Sequence, residues 1–343
     1  MTRRLRTLGL ALAAAILAMP AMAQRVSTPA APSVSIAPRP PVSLDRARLD
    51  YALQPRQIAP GVWVIEGAVE DFSRANGCNI INTGFIATGA GVVVVNTGPS
   101  RRYGEQQRRA IARVTAEPVV RVLNLNLHPD YFFGNQAWGD VPVQALAGSI
   151  AGMQAEGQAY ATNLYRLCGD WMTGTEPEPA REPVAPQTLA LGTHRLELRR
   201  LEGHTADDLV LIDHSTGVVF AGGLVFAERV PTTPHADIAR WLRSLDALEA
   251  LLPGIPRALL VPSHGPVTPE PSGIGQTRAW LLWLSNMLED SARRGLDLSE
   301  VLQAPVPAQF QAWAAQPAEL QRTLAQWYPV YEKRALLGPL QAK

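Results

Sequence analysis

Regular hydrophobic patterning begins near Ile58. Gly61-Val62-Trp63-Val64-Ile65 alternates and predicts a strand. Residues 79–87 and 91–95 are two further β-rich runs, split by Gly89-Ala90-Gly91, which reads as a hairpin turn. The four consecutive valines Val92–Val95 have no polar face, as expected of a strand covered on both sides. A loop at Thr97-Gly98-Pro99-Ser100 leads into residues 103–114, whose apolar positions recur at helical spacing. Residues 119–125 return to strand pattern. Strand, loop, helix and strand in this order mark an α/β protein.

The second half repeats the theme. Residues 145–171 read as a long helix, and 176–187 as a Pro-rich loop. Short strands follow at 189–191, 196–201, 209–213 and 218–221, then an amphipathic helix at 238–252 and a buried strand at 258–261. From about Pro271 the pattern is helical, over 276–294 and 317–337. The Trp-rich tail (Trp280, Trp283, Trp313, Trp327) predicts helix packing. Two β-rich halves, each followed by helix and a short strand, imply two mixed β layers covered by helices on both outer faces, an αββα sandwich at 58–270 with a helical C-terminal extension at 271–343; the pattern alone is shared with other α/β sandwiches.

Residues 24–57 are rich in Pro, Ala and Ser and predict an extended linker. Ahead of them, Arg3, Arg4 and Arg6 precede an apolar stretch and the small-x-small run Ala21-Met22-Ala23. That is the pattern of a secretory signal over 1–23, and it predicts export. Cleavage would remove three arginines and leave the chain slightly acidic, with no membrane span. The full 343-residue chain has 31 Lys+Arg against 30 Asp+Glu. That balance gives no support to nucleic-acid binding. Cys78 and Cys168 are the only cysteines. Export would permit them to pair, but sequence supplies no distance, so two free buried thiols stand as an equal alternative.

Candidate chemistry gathers where predicted strands give way to loops. Asn126-Leu127-His128-Pro129-Asp130-Tyr131, Glu202-Gly203-His204-Thr205 and Pro262-Ser263-His264-Gly265 each place a histidine at such a point, beside Gly or Pro. In their order and context these motifs resemble the metallo-β-lactamase superfamily. Its signature is a His-x-His-x-Asp-His loop, a Gly-His-Thr, an Asp after a buried strand, and a Gly-His-Gly-like turn. The resemblance spans about 58–266, with Asn96-Thr97-Gly98 standing where the family has Asp-Thr-Gly. Cys168-Gly169-Asp170-Trp171-Met172 and Gly295-Leu296-Asp297-Leu298 resemble one branch, the exported quinoprotein relay system metallohydrolases.

The resemblance implies two zinc ions about 3.5–4 Å apart that activate a hydroxide. This chain departs from that pattern at the site itself. Asn126 and Tyr131 replace the first and last histidines of the loop, Gly223 replaces the bridging Asp, and Asn96 replaces an outer carboxylate. The retained candidates are His128 and His204 for one ion, and Asp130 and His264 for the other. Each set is one ligand short of the three that catalytic zinc normally has. At most one zinc is therefore expected, and none is equally compatible. Asp130 also suits a helix N-cap. Tyr131 is a candidate acid, base or anchor, with packing as the plainer role. His194 and His214 read as surface-turn residues, and His235 as a residue of a loop that could line the groove.

Two functional expectations follow. One is a periplasmic hydrolase acting on an ester, thioester or lactone, in which His128, His204 and His264 hold one ion and Asp130 serves as ligand or base. The other is a non-catalytic descendant whose groove binds a small molecule, or a quinoprotein dehydrogenase or its cytochrome c.

Overall fold

The structure, a computed structural model, describes Arg39, residues 42–269 and residues 272–337. The secretory pattern at 1–23 and the first part of the expected linker lie outside these residues. The described chain belongs to one compact unit, Ile36–Lys343.

Thirteen strands form two sheets among the described residues. The first runs in spatial order β1 (Arg56–Ala59), β2 (Val62–Ile65), β3 (Thr83–Ala87), β4 (Val92–Val95), β5 (Val119–Leu123), β6 (Val143–Ala145) and β7 (Glu182–Pro183). It is antiparallel through β4 and parallel from β4 to β7. The second contains β8 (Gln187–Leu191), β9 (His194–Leu201), β10 (Asp208–Asp213), β11 (Val218–Phe226), β12 (Leu259–His264) and β13 (Thr268–Pro269). Its one parallel pair is β11 with β12, as a crossover through a helix requires.

The pleat divides each buried strand between two cores. In β4, Val93 and Val95 enter the core between the sheets, while Val92 and Val94 face the helical layer. In β10, Leu209 and Leu211 point inward and Val210 and Ile212 outward. Helices α1 (Arg101–Val114), α2 (Pro129–Phe132) and α3 (Ala147–Cys168) belong to the half built on the first sheet. The second is covered by α4 (Ile238–Leu251), α5 (Ser272–Arg293), α6 (Leu298–Val301), α7 (Ala308–Gln311) and α8 (Ala318–Leu337). This is the expected αββα sandwich. Ser100 caps α1 by accepting from the Tyr103 N–H, and Asp237 caps α4 by accepting from the Arg240 N–H.

The C-terminal helices are part of the same core as the second sheet: Leu284, Leu288, Leu324 and Tyr328 cluster with Val210 and Ile212. Trp280 stacks on Trp313 at 5.7 Å and meets Phe310 edge-on at 5.1 Å, so the aromatic tail packs as expected. The stretch expected to be linker is packed before residue 57. Tyr51 is buried, its N–H donates to Gln106 Oε1 at 2.7 Å, and its hydroxyl sits 2.9 Å from both Gly77 O and Ser100 Oγ. Local composition hid this, because a few separated residues, Tyr51 and Leu53 with Leu44 and Leu49 beside them, anchor the segment to the core. His194, expected in a solvated turn, is buried, with Nδ1 2.8 Å from Asp213 Oδ2.

Cys78 and Cys168 are paired, with Cα atoms 5.9 Å apart. The bond ties the loop before β3 to the C-terminus of α3 and closes 90 residues of chain. Replacing both cysteines by serine is expected to lower unfolding free energy by about 2–4 kcal/mol. Urea denaturation measures the loss. Unreduced protein should also resist alkylation at both positions.

Candidate functional site

The three histidine motifs meet at one edge of the sandwich. The first hangs from β5. Asn126 Oδ1 accepts the His128 N–H at 2.9 Å, folding the loop back on itself, and Pro129 opens α2. The N-cap position of α2 belongs to His128, and Asp130 lies inside the first turn, so Asp130 is not the cap that the sequence allowed. Gly203 places the second histidine. It has φ +131°, and a Cβ there would lie 2.2 Å from Trp241 Cα, so only glycine lets the His204 loop sit against α4. The third histidine, His264, ends β12.

These side chains form two pairs. His204 Nε2 lies 3.1 Å from His128 Nδ1, and His264 Nε2 lies 3.4 Å from Asp130 Oδ2. His264 Nδ1 is 2.8 Å from Ile80 O and donates to it, which leaves its Nε2 as the ring's acceptor. His128 continues outward: its Nε2 is 3.0 Å from His235 Nδ1, and His235 Nε2 is 2.8 Å from Glu156 Oε1. The row from Glu156 to His204 is satisfied by one N–H per ring, His235 toward Glu156, His128 toward His235 and His204 toward His128. Burial lowers the pKa of His128, His204 and His264 well below the ordinary histidine value, so all three are neutral. Burial raises Asp130 to about 7, opposed by its own backbone N–H and by the charge of Arg229.

His128, Asp130 and His264 line a cleft of about 380 Å³. Phe72, Ile80, Leu164 and Leu167 supply apolar wall, Arg229 stands beside the floor, and Glu319, Arg322, Thr323 and Gln326 of α8 close one side. His204 lies behind this surface. Tyr131 is fully buried in the core between the sheets and does not line the cleft. The packing role therefore describes it, and burial holds its hydroxyl pKa well above the usual tyrosine value.

The positions where the family pattern is broken have their own structural logic. Asn96 accepts the Leu125 N–H at 3.0 Å and donates its Nδ2 to Asn82 O at 3.4 Å, a donor that a carboxylate lacks. Gly223 is filled from outside: a Cβ there would lie 2.0 Å from His204 Cδ2 and 2.7 Å from Asn126 Nδ2. The imidazole of His204 thus occupies the space into which a side chain at 223 would project. Among the described residues, no group of three or more His, Cys, Asp or Glu side chains is placed to hold a metal ion together. Two separate donor pairs and a closed position at 223 do not fit a zinc centre with three protein ligands.

Several residues at the site were weak or invisible in sequence. His235 carried only its loop position. Glu156 and the cleft-lining Tyr160, Asn163 and Leu167 share a face of α3, a helical spacing that the sequence shows without saying what the face meets. Arg229 stands beside Glu228 where an apolar strand ends, a charged pair that reads as an ordinary turn.

An αββα sandwich with histidine-bearing loops along one edge is the architecture of the metallo-β-lactamases. The sequence profile of the Metallo-beta-lactamase superfamily matches residues 76–264, and the chain belongs to this superfamily. Among solved structures it is similar to a metallo-β-lactamase from Pontibacter korlensis, at 22% identity and TM-score 0.53, covering 67% of this chain and 99% of that one. It is also similar to FIM-1 from Pseudomonas aeruginosa in its mono-zinc form, at 18% identity and TM-score 0.54, covering 68% and 96%. These likenesses extend to the fold. No curated protein matches the chain.

Gly223→Ala is expected to cost about 1–3 kcal/mol, because the added methyl must displace the His204 ring from a packed position. Chemical denaturation measures it. Unchanged stability would mean that the ring is free to swing away and the site free to open.

Proposed function

We propose that this chain is an exported member of the superfamily whose groove binds a small molecule, and which has given up the two-zinc hydrolytic centre of the fold. The observation that carries the reading is the packing of His204 against Gly223, at a Cβ distance of 2.0 Å. In the family pattern, position 223 bears the carboxylate that bridges two metals. Here that volume belongs to an imidazole, and the remaining donors stand as a His–His pair and a His–Asp pair. Meanwhile the groove keeps room for a ligand, apolar walls, and polar atoms at its floor. That combination is what a small-molecule site needs. Hydrolysis of an ester, thioester or lactone through a single zinc would require a third ligand to swing in, and is the weaker reading.

Periplasmic location rests on the N-terminal signal pattern, with support from the Cys78–Cys168 bond, which persists in oxidising compartments. No helix among the described residues is long and apolar enough to cross a membrane. A quinoprotein dehydrogenase or its cytochrome c as partner rests on the sequence resemblance to the quinoprotein relay branch alone.

Protein purified without chelator is expected to carry well under one zinc per chain and to leave ester, thioester and lactone substrates intact. Fragments found by thermal shift should lose binding on Leu164→Trp, which fills the apolar wall. One tightly bound zinc together with chelator-sensitive hydrolysis would overturn the proposal in favour of the single-zinc hydrolase.

A further inference from the structure

Arg229 is fully buried, which is rare for a guanidinium and costly unless its charge has a use. It lies three residues past the end of β11. Its Nε donates to Glu70 O at 2.8 Å and its Nη1 to Val230 O at 3.1 Å. The guanidinium lies 6.0 Å from the centre of the Phe226 ring. Nη2 makes no hydrogen bond, and the carboxylate it pairs with, Asp71, stands 3.8 Å away. The acids whose charge it feels are Glu319, Asp71 and Asp130, with Arg322 as the neighbouring like charge. In turn its charge acts on Asp130, His264 and His204, three of the four retained family positions.

We infer that the Arg229 guanidinium takes the electrostatic place of the missing metal: a fixed organic cation lining the same cleft as Asp130 and His264, over the Phe226 ring that stacks on His264, and excluding zinc from that cleft. The inference rests on the zinc-free reading above and goes beyond it, since ligand loss alone would leave the site open to a weakly held ion. A divalent cation entering between Asp130 and His264 would meet a positive charge held in place by two backbone carbonyls in a poorly solvated setting. There like charges repel far more strongly than in water. Burial already disfavours the charge of Asp130, the one acidic group of the retained set, so it offers little to draw a cation in past that guanidinium. Glu319 and Arg322 of α8, joined to each other and to Asp71 through Arg322, close the network on its outer side and keep the guanidinium inside.

The test is zinc affinity of the full chain, measured by competition with a chromophoric chelator, for wild type, Arg229→Gln and Arg229→Lys. Arg229→Gln should bind zinc at least about tenfold more tightly than wild type, and Arg229→Lys, which keeps the charge, should remain as poor a binder as wild type. A purely structural arginine would affect stability in both variants and zinc affinity in neither. Should Arg229→Gln fail to fold, Arg229→Gln combined with Asp71→Asn removes both members of the ion pair and must show the same gain. Equal zinc affinity in wild type and the charge-free variant overturns this inference and leaves the zinc-free reading standing. A gain of equal size in Arg229→Lys overturns it as well. Full-equivalent zinc in wild type overturns the reading and the inference together.

Discussion

Burial of the two sheets against each other decides where every candidate residue stands. Leu209, Leu211 and Phe220 of one sheet meet Val62, Val93 and Val95 of the other in a core without solvent. Each such side chain is worth about 1.5–3 kcal/mol in burial. Neither sheet could slide by one residue without turning its apolar face to water. With that register set, the ends of β5, β9 and β12 fall along one edge, and three histidines distant in sequence become neighbours.

Neighbours are not a ligand set. The same tight packing that assembles the edge also closes it. With glycine at 223, the ring of His204 can press inward until it contacts the strand, and there it hydrogen-bonds to His128 instead of pointing at an open position. His128 in turn passes its second nitrogen to His235 and on to Glu156. Nitrogens that would be lone donors to a metal are used on one another. Asn96 and Tyr131 extend the same change outward, one by donating to a backbone carbonyl and the other by filling core volume. The substitutions form a connected set in space, as replacements that compensate one another would.

The C-terminal extension belongs to the site as much as to the core. Trp327 Nε1 donates to Thr233 O at 3.2 Å, and Gln326 Nε2 to Pro234 O at 2.7 Å, so α8 holds the loop that carries His235. Arg322 bonds Asp71 across the mouth of the cleft, while the disulfide ties the loop that carries Asp71 and Phe72 to the end of α3. The groove is therefore walled by three segments far apart in sequence, each fastened by a polar or covalent tie.

Hydrophobic pattern alone marked two β-rich halves and put the histidines at strand ends, and the family resemblance supplied the αββα arrangement. Apolar runs and helical periodicity are local properties, so the continuous runs at 92–95 and 209–212 and the helical spacing at 103–114 are legible without the fold. The sequence also exposed the broken family pattern, since identity at 96, 126, 131 and 223 is read directly. What it left open were questions of distance. Whether Cys78 meets Cys168, whether Asp130 caps a helix or faces a groove, and whether Tyr131 reaches ligand or core all depend on chain segments tens of residues away. Arg229 shows the reason most clearly. In sequence it is one charge among 31 basic residues, and only the closing of β11, the loop at Glu70 and α8 around it makes that charge a buried one.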